Sequence, residues 1–184
     1  MKKQIKYKLK GSLQISGDKS ISHRSLILSS MALGEAKISN LLESEDTLST
    51  IKILKALSIQ IKKVKEDWIV IGNGTNGYIQ PSEALDCGNS GTTARLMLGA
   101  VSTNPIFCTF IGDKSLSKRP MTRVTNFLNT IGAETVLTNK DYFPMTINGA
   151  KDPLPLHHTI TKASAQIKTG LILAALNIMG RTSI

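Results

Sequence analysis

Aromatic residues are scarce in this chain: one Trp, three Tyr and four Phe among 184 residues. Stacking platforms for single-stranded nucleic acid are therefore poorly supplied. No zinc-finger, RNP or helix-turn-helix pattern compensates, so a nucleic-acid partner is not expected. Cysteine is scarcer still. Cys87 and Cys108 have no metal-ligand spacing and make no disulfide framework. The basic opening MKKQIKYKLK has no apolar stretch behind it to serve as a secretory signal. Reduced thiols in a cytoplasmic protein are the expectation. No apolar run approaches the roughly 18 residues that cross a bilayer, so no membrane partner is expected. Acidic residues are also few: 13 Asp and Glu against 23 Lys and Arg leave a net charge of +10. Five of those lysines fall in the first ten residues. Small anionic molecules are the better use for the remaining charge, provided it is concentrated at a site.

What is present is ordinary in amount and unusual in order. A chain 41% hydrophobic and 20% charged can bury a core. Three segments share one plan: GDKSISHRSLILSSMALGEAKIS from Gly17, CGNSGTTARLMLGAVSTNPIFCTF from Cys87, and KASAQIKTGLILAALNIMGRTSI from Lys162. Each opens with small polar residues, continues as an apolar run of helical length, and passes a turn into a β-like stretch. Ser20 to Gly91 is 71 residues and Gly91 to Ala165 is 74. Between them, Ile51, Leu54 and Leu57, and again Val124, Leu128 and Ile131, keep helical spacing. Pro120 suits the first turn of the second of these helices. KEDWIVIGNG and KDYFPMTING then read as hairpins. The period predicts an α/β fold of repeated βαβαββ units of about 73 residues. Unit one covers about 12–80, unit two about 84–150, and a partial unit three about 156–184. The third unit stops inside its second strand, so residues 1–184 are expected to be an incomplete lobe.

Each unit places its polar signature at a helix start, where free N–H groups and the positive end of the dipole bind phosphate and carboxylate. Lys19 precedes the first helix and Arg24 lies one turn into it. Arg95 lies one turn into the second, and Lys168 at the start of the third. Gly88 and Gly91 permit close backbone approach. One such tip is an ordinary cap, whereas three in register suggest a polyanion site.

The stretches GDKSISHRSLILSSMALGEAKISNLLESEDT, LDCGNSGTTARLM, FIGDKSLSKRPM and ASAQIKTGLILAAL resemble, in order, the motifs of the N-terminal half of the EPSP synthase (3-phosphoshikimate 1-carboxyvinyltransferase) family. The related UDP-N-acetylglucosamine enolpyruvyl transferases share the fold but normally have Lys-Asn where this chain has Lys19-Ser20. The resemblance implies two lobes of three βαβαββ units each, an inside-out α/β barrel that closes over shikimate 3-phosphate and phosphoenolpyruvate. It implies a transferase of aromatic amino acid and chorismate biosynthesis, monomeric when intact, that needs no metal or organic cofactor. Position by position, Lys19 resembles the catalytic lysine that touches both ligands. Ser20 and Arg24 resemble shikimate-phosphate binders, and Ser164, Ala165 and Gln166 the Ser-x-Gln element, with Gln166 bridging both substrates. Gly91 and Arg119 resemble phosphoenolpyruvate contacts, with Asn89, Thr92 and Arg95 in support. Residue types agree: arginine forks onto carboxylate or phosphate, lysine offers a compact charge to a departing phosphate, and Gln both donates and accepts.

In this family the proton-transfer Asp and Glu come from the second lobe, so the chain alone is expected not to turn over substrate. The competing readings are a non-catalytic truncated product and a shikimate-phosphate-binding remnant. Other residues read as structural. His23 is expected to be solvated or capping, Cys87 a buried small residue, His157 and His158 linker, and Leu96, Met97 and Leu98 helix core.

Overall fold

A computed structural model describes residues 10–184. The lysines before Lys10 lie outside the described residues.

The first set of elements is helix α1 (Lys19–Met31), strand β1 (Leu33–Ile38), helix α2 (Glu45–Ala56) and the hairpin β2 (Gln60–Val64) and β3 (Asp67–Asn73). Asp18 begins α1 by accepting a hydrogen bond from the Ile21 amide at 2.7 Å. A reciprocal capping box of Ser44 and Thr47 begins α2, with Glu45 and Asp46 in the first turn where acids favour the dipole. Lys65 turns the hairpin at φ +56°. The three strands form one antiparallel sheet in the order β1-β3-β2.

The second set repeats the first with one strand added in front. It runs β4 (Leu85–Asp86), α3 (Gly91–Val101), β5 (Phe107–Ile111), a 3-10 turn at Leu116–Lys118, α4 (Thr122–Thr130), β6 (Glu134–Thr138) and β7 (Tyr142–Asn148). The sheet order is β4-β5-β7-β6, with β4 parallel to β5 and the other pairs antiparallel. Burial alternates along β7, with Phe143, Met145 and Ile147 turned inward, as a half-buried strand requires. After it come an isolated parallel bridge between His157 and Ser183 and helix α5 (Ala165–Ala175).

Two expectations are corrected. Among the described residues the opening strand of the first repeat is not formed: residues 10–18 have no regular structure, and Leu13 and Ile15 are exposed. In the second sheet, β4 sits on the outer edge of β5; the corresponding edge of β1 has no partner among the described residues, and a lone two- or three-residue strand without a ladder does not hold. Pro120 is also not in a first helical turn. The helix starts at Thr122, and the Asp141 carboxylate between β6 and β7 caps it by accepting from the Met121 and Thr122 amides at 3.0 and 2.9 Å.

Helix α3 is the centre of the core. Leu96, Met97 and Leu98 are buried, as are Gly99, Ala100 and Val101. A helix apolar on all sides belongs inside. It packs most closely on α5, where Gly99 lies against the Gly170 carbonyl with no room for a side chain, and Gly170 in turn against the Arg95 carbonyl. Cys87 is buried, and burial raises its thiol pKa out of the reactive range. No helix among the described residues is long and apolar enough to cross a membrane.

Candidate functional site

Three helices start alike. Asp18, Ser90 and Ser164 each present a side-chain oxygen to the amide three residues on, at Ile21, Thr93 and Ile167. The caps are 72 and 74 residues apart, so the repeat has copied its helix starts as well as its order of elements. Among the described residues no group of three or more His, Cys, Asp or Glu side chains could hold a metal ion.

The densest polar cluster surrounds the α3 tip. Arg95, one turn into the helix, donates from Nη1 to the Gly91 carbonyl and to Gln166 Oε1, both at 3.2 Å, and from Nη2 to the Pro120 carbonyl. Gln166, at the α5 tip, uses its other end to donate to Thr92 Oγ1 at 2.9 Å. Arg119, just past the 3-10 turn, donates to Asn89 Oδ1 at 2.7 Å and to Ser115 Oγ at 3.2 Å. Asn89 in turn donates to Asp113 Oδ2 at 2.6 Å, and Asp113 Oδ1 caps the turn through the Leu116 and Ser115 amides. These bonds hold the Asp113 carboxyl below the usual carboxylate range. A methyl on Gly91 would lie 2.7 Å from Arg95 Nη1 and 3.2 Å from Arg119 Nη1. The two guanidinia therefore converge on a backbone that has no side chain. Burial, then the nearby Arg119 and Arg123, pull the Arg95 pKa below the ordinary guanidinium value. Positive charge is thus concentrated over the first turn of α3.

The α1 tip joins it through α2. Lys19 Nζ is paired with the Asp46 carboxylate, and the Asp46 backbone carbonyl accepts a hydrogen bond from Thr93 Oγ1 of α3 at 3.0 Å. A cleft of about 670 Å³ opens beside the α5 tip; Ser164, Ala165 and Lys168 line it together with His157, His158 and Ile184.

The EPSP synthase (3-phosphoshikimate 1-carboxyvinyltransferase) family model matches residues 3–184. The chain belongs to this family. It is 49% identical to the 3-phosphoshikimate 1-carboxyvinyltransferase of Ruegeria sp. (strain TM1040), over 95% of this chain and 39% of that protein. It is 46% identical to the enzyme of the same name from Novosphingobium aromaticivorans, over 96% of this chain and 40% of that one. The solved structure of EPSP synthase from Acinetobacter baumannii superposes with a TM-score of 0.89 at 36% identity, covering 94% of this chain and 39% of that one. The chain thus spans about two fifths of the length of these relatives.

Of the residues singled out by the family motifs, Asn89, Gly91, Thr92, Arg95, Arg119 and Gln166 form one connected cluster. Ser164 and Ala165 adjoin it as the cap and first residue of α5. Ser20 and Arg24 share α1 with Lys19; Ser20 is exposed and Arg24 half-buried. Three participants were not singled out: Asp46 as the partner of Lys19, Arg123 as a third guanidinium, and Asp113 beneath Asn89. Arg123, four residues past Arg119, was the one within reach of sequence reasoning. His23 departs from expectation. It is fully buried, and its Nδ1 is 2.8 Å from Thr50 Oγ1.

Proposed function

We propose that this chain supplies the N-terminal-lobe half of a 3-phosphoshikimate 1-carboxyvinyltransferase site, gripping shikimate 3-phosphate and phosphoenolpyruvate with three helix tips. The observation that carries this reading is the convergence of Arg95 and Arg119 on Gly91, with Gln166 reaching in from α5. The paired guanidinia suit the carboxylate and phosphate of phosphoenolpyruvate, since each offers a planar fork. Ser20, Arg24, Ser164 and Ala165, the last through its backbone N–H alone, take the shikimate phosphate. Gln166 bridges the two ligands, because an amide both donates and accepts. Asn89 and Thr92 hold Arg119 and Gln166 in place.

In the reaction, the shikimate 5-hydroxyl gives up its proton and adds to C2 of the enolpyruvyl group as C3 is protonated; the tetrahedral adduct then loses phosphate from C2 and a proton from C3, which restores the double bond. Lys19 stands where negative charge gathers on the departing phosphate. Its present partner, Asp46, keeps it oriented until an anion competes for it. Protonation of C3 needs an acid within hydrogen-bond reach. The family draws that acid from the three fifths of its length that lie beyond the matched part, and lobe closure then excludes water. The 184 residues by themselves therefore bind without turning over. In the whole enzyme the reading is a monomeric, cytoplasmic transferase of aromatic amino acid biosynthesis, working without metal or organic cofactor.

The test is titration of the purified chain with shikimate 3-phosphate and with phosphoenolpyruvate, followed by NMR. Shifts confined to residues near Lys19, Gly91, Arg119 and Gln166, lost in Lys19→Met and Arg119→Met, support the reading. Saturable binding of a nucleic acid with none of either ligand, or steady turnover by the chain alone, defeats it.

A further inference from the structure

The centre of the molecule holds a chain of buried hydrogen bonds that the reaction does not use. His23 Nδ1 on α1 lies 2.8 Å from Thr50 Oγ1 on α2, which lies 2.8 Å from Thr93 Oγ1 on α3. Thr93 Oγ1 is also 3.0 Å from the Asp46 carbonyl and 2.8 Å from Ser90 Oγ. His23, Thr50, Ser90 and Thr93 are all fully buried. The chain therefore crosses three helices and ends at the cap of α3 and the first turn of α2.

Counting protons orients it. Each hydroxyl has one proton to give. If the imidazole carries its proton on Nδ1, His23 donates to Thr50 and Thr50 to Thr93, which leaves the one Thr93 proton free for the Asp46 carbonyl or for Ser90 Oγ. If Thr50 donates to Nδ1 instead, Thr93 must donate to Thr50, the Asp46 link is lost, and a proton is stranded on buried Nε2. Nε2 has no partner among the described residues. A bare acceptor there is tolerated better than an orphaned donor. The structure thus assigns the Nδ1–H tautomer. Burial keeps the ring neutral, lowering its pKa to about 4, with Lys19 adding to the effect and Asp46 opposing it.

We propose that this buried chain is a strut that sets the separation of the α1 and α3 tips, with Thr93, Thr50 and His23 as positioning residues for Lys19 and Gly91. Asp46 joins strut to site, because its carbonyl receives the last proton while its carboxylate holds Lys19. The ligand readout of this proposal rests on the functional reading above; its geometry does not.

The experiment compares Thr93→Val, which keeps the shape and removes the proton, with Thr93→Ser, which restores it. Thr125→Val is the control: Thr125 is equally buried on α4 and its hydroxyl donates to the Met121 carbonyl, with no other partner among the described residues. The nitrogen-15 histidine spectrum of the unaltered chain should show His23 neutral and protonated on Nδ1; protonation on Nε2 overturns the strut. Amide exchange at residues 20–24 and 91–95 should speed up about 10-fold in Thr93→Val, the worth of one buried hydrogen bond. It should stay unchanged in Thr125→Val at a matched loss of melting temperature and return in Thr93→Ser. Affinity for shikimate 3-phosphate should fall by a similar factor in Thr93→Val alone. If both valine variants leave the two tips alike, the strut is wrong. If the unaltered chain binds no shikimate 3-phosphate, the functional reading fails, and tautomer and exchange still decide the strut. Should Thr93→Val not fold, Thr50→Val carries the same comparison, since it leaves the Ser90 and Asp46 links in place.

Discussion

Replacing Gly91 by Ala separates the stability of this molecule from its capacity to hold an anion. The added methyl would meet Arg95 Nη1 at 2.7 Å and Arg119 Nη1 at 3.2 Å, both the far ends of flexible side chains, so the backbone has no reason to move. Gly91 is the first residue of α3 and its backbone is not in the left-handed region, so alanine fits there. Alanine gains about 0.4–1 kcal/mol from a less disordered unfolded chain. The guanidinia pay instead. Arg95 must loosen its 3.2 Å bonds to the Gly91 carbonyl and Gln166, which offsets that gain, and Arg119 must swing outward, so neither fork meets an anion at the tip squarely. Charge-assisted bonds contribute about 1.5–3 kcal/mol each, less where water can replace them, as it can at this half-open tip. A net loss of about 1–2 kcal/mol in anion binding follows, roughly 5- to 30-fold in affinity for phosphoenolpyruvate. Calorimetric melting and an NMR titration on the same sample check both halves. A melting temperature several degrees lower, with phosphoenolpyruvate affinity unchanged, would refute the reasoning.

Gly99→Ala has the opposite profile: its methyl would collide with the Gly170 backbone carbonyl, and overpacking there costs about 1–3 kcal/mol or more, read as a fall in melting temperature. Asp141→Ala removes three acceptor contacts that start α4, from the Met121 and Thr122 amides and the Thr122 hydroxyl, and should destabilise the chain by about 1–2 kcal/mol in urea unfolding. His23 gives a pH signature. Its folded pKa of about 4 lies below the usual 6.5, so the unfolded chain binds the extra proton first; stability is full above about pH 6.5 and falls as pH drops toward 4. The groups facing it are Asp46 and Lys19, and the loss reaches about 3 kcal/mol. Unfolding free energies at pH 7, 5.5 and 4 should show this slope in the unaltered chain and a flatter one in His23→Gln.

The repeat was legible because it is written twice over, in helical spacing and in the polar residues before each helix. Asp18, Ser90 and Ser164 turned out to be caps of the same kind, and the glycine-rich and Arg-Pro stretches met at one place. What escaped was whatever depends on a partner distant in sequence. The stretch around Leu13 and Ile15 has the composition of a strand, but a strand exists only when a neighbour offers a ladder, and β1 is not joined by one there. His23 looked solvated because its sequence neighbours include no carboxylate; its partner, Thr50, is 27 residues away and is an uncharged hydroxyl. Asp141 caps a helix 19 residues before it, which no local capping rule anticipates. Arg123 is the exception: it stands four residues past Arg119 in sequence and adds its charge beside Arg95.

The bare contact between Gly99 and Gly170 lies eight residues below the tip of α3, about 12 Å along the axis. At that distance it lies outside the polar cluster, yet it fixes how far Gln166 stands from Thr92 and Arg95. Two backbones in touch behave as a hinge pin with no play. A side chain at either position would therefore shift the polar residues at the tip, although neither glycine belongs to that cluster.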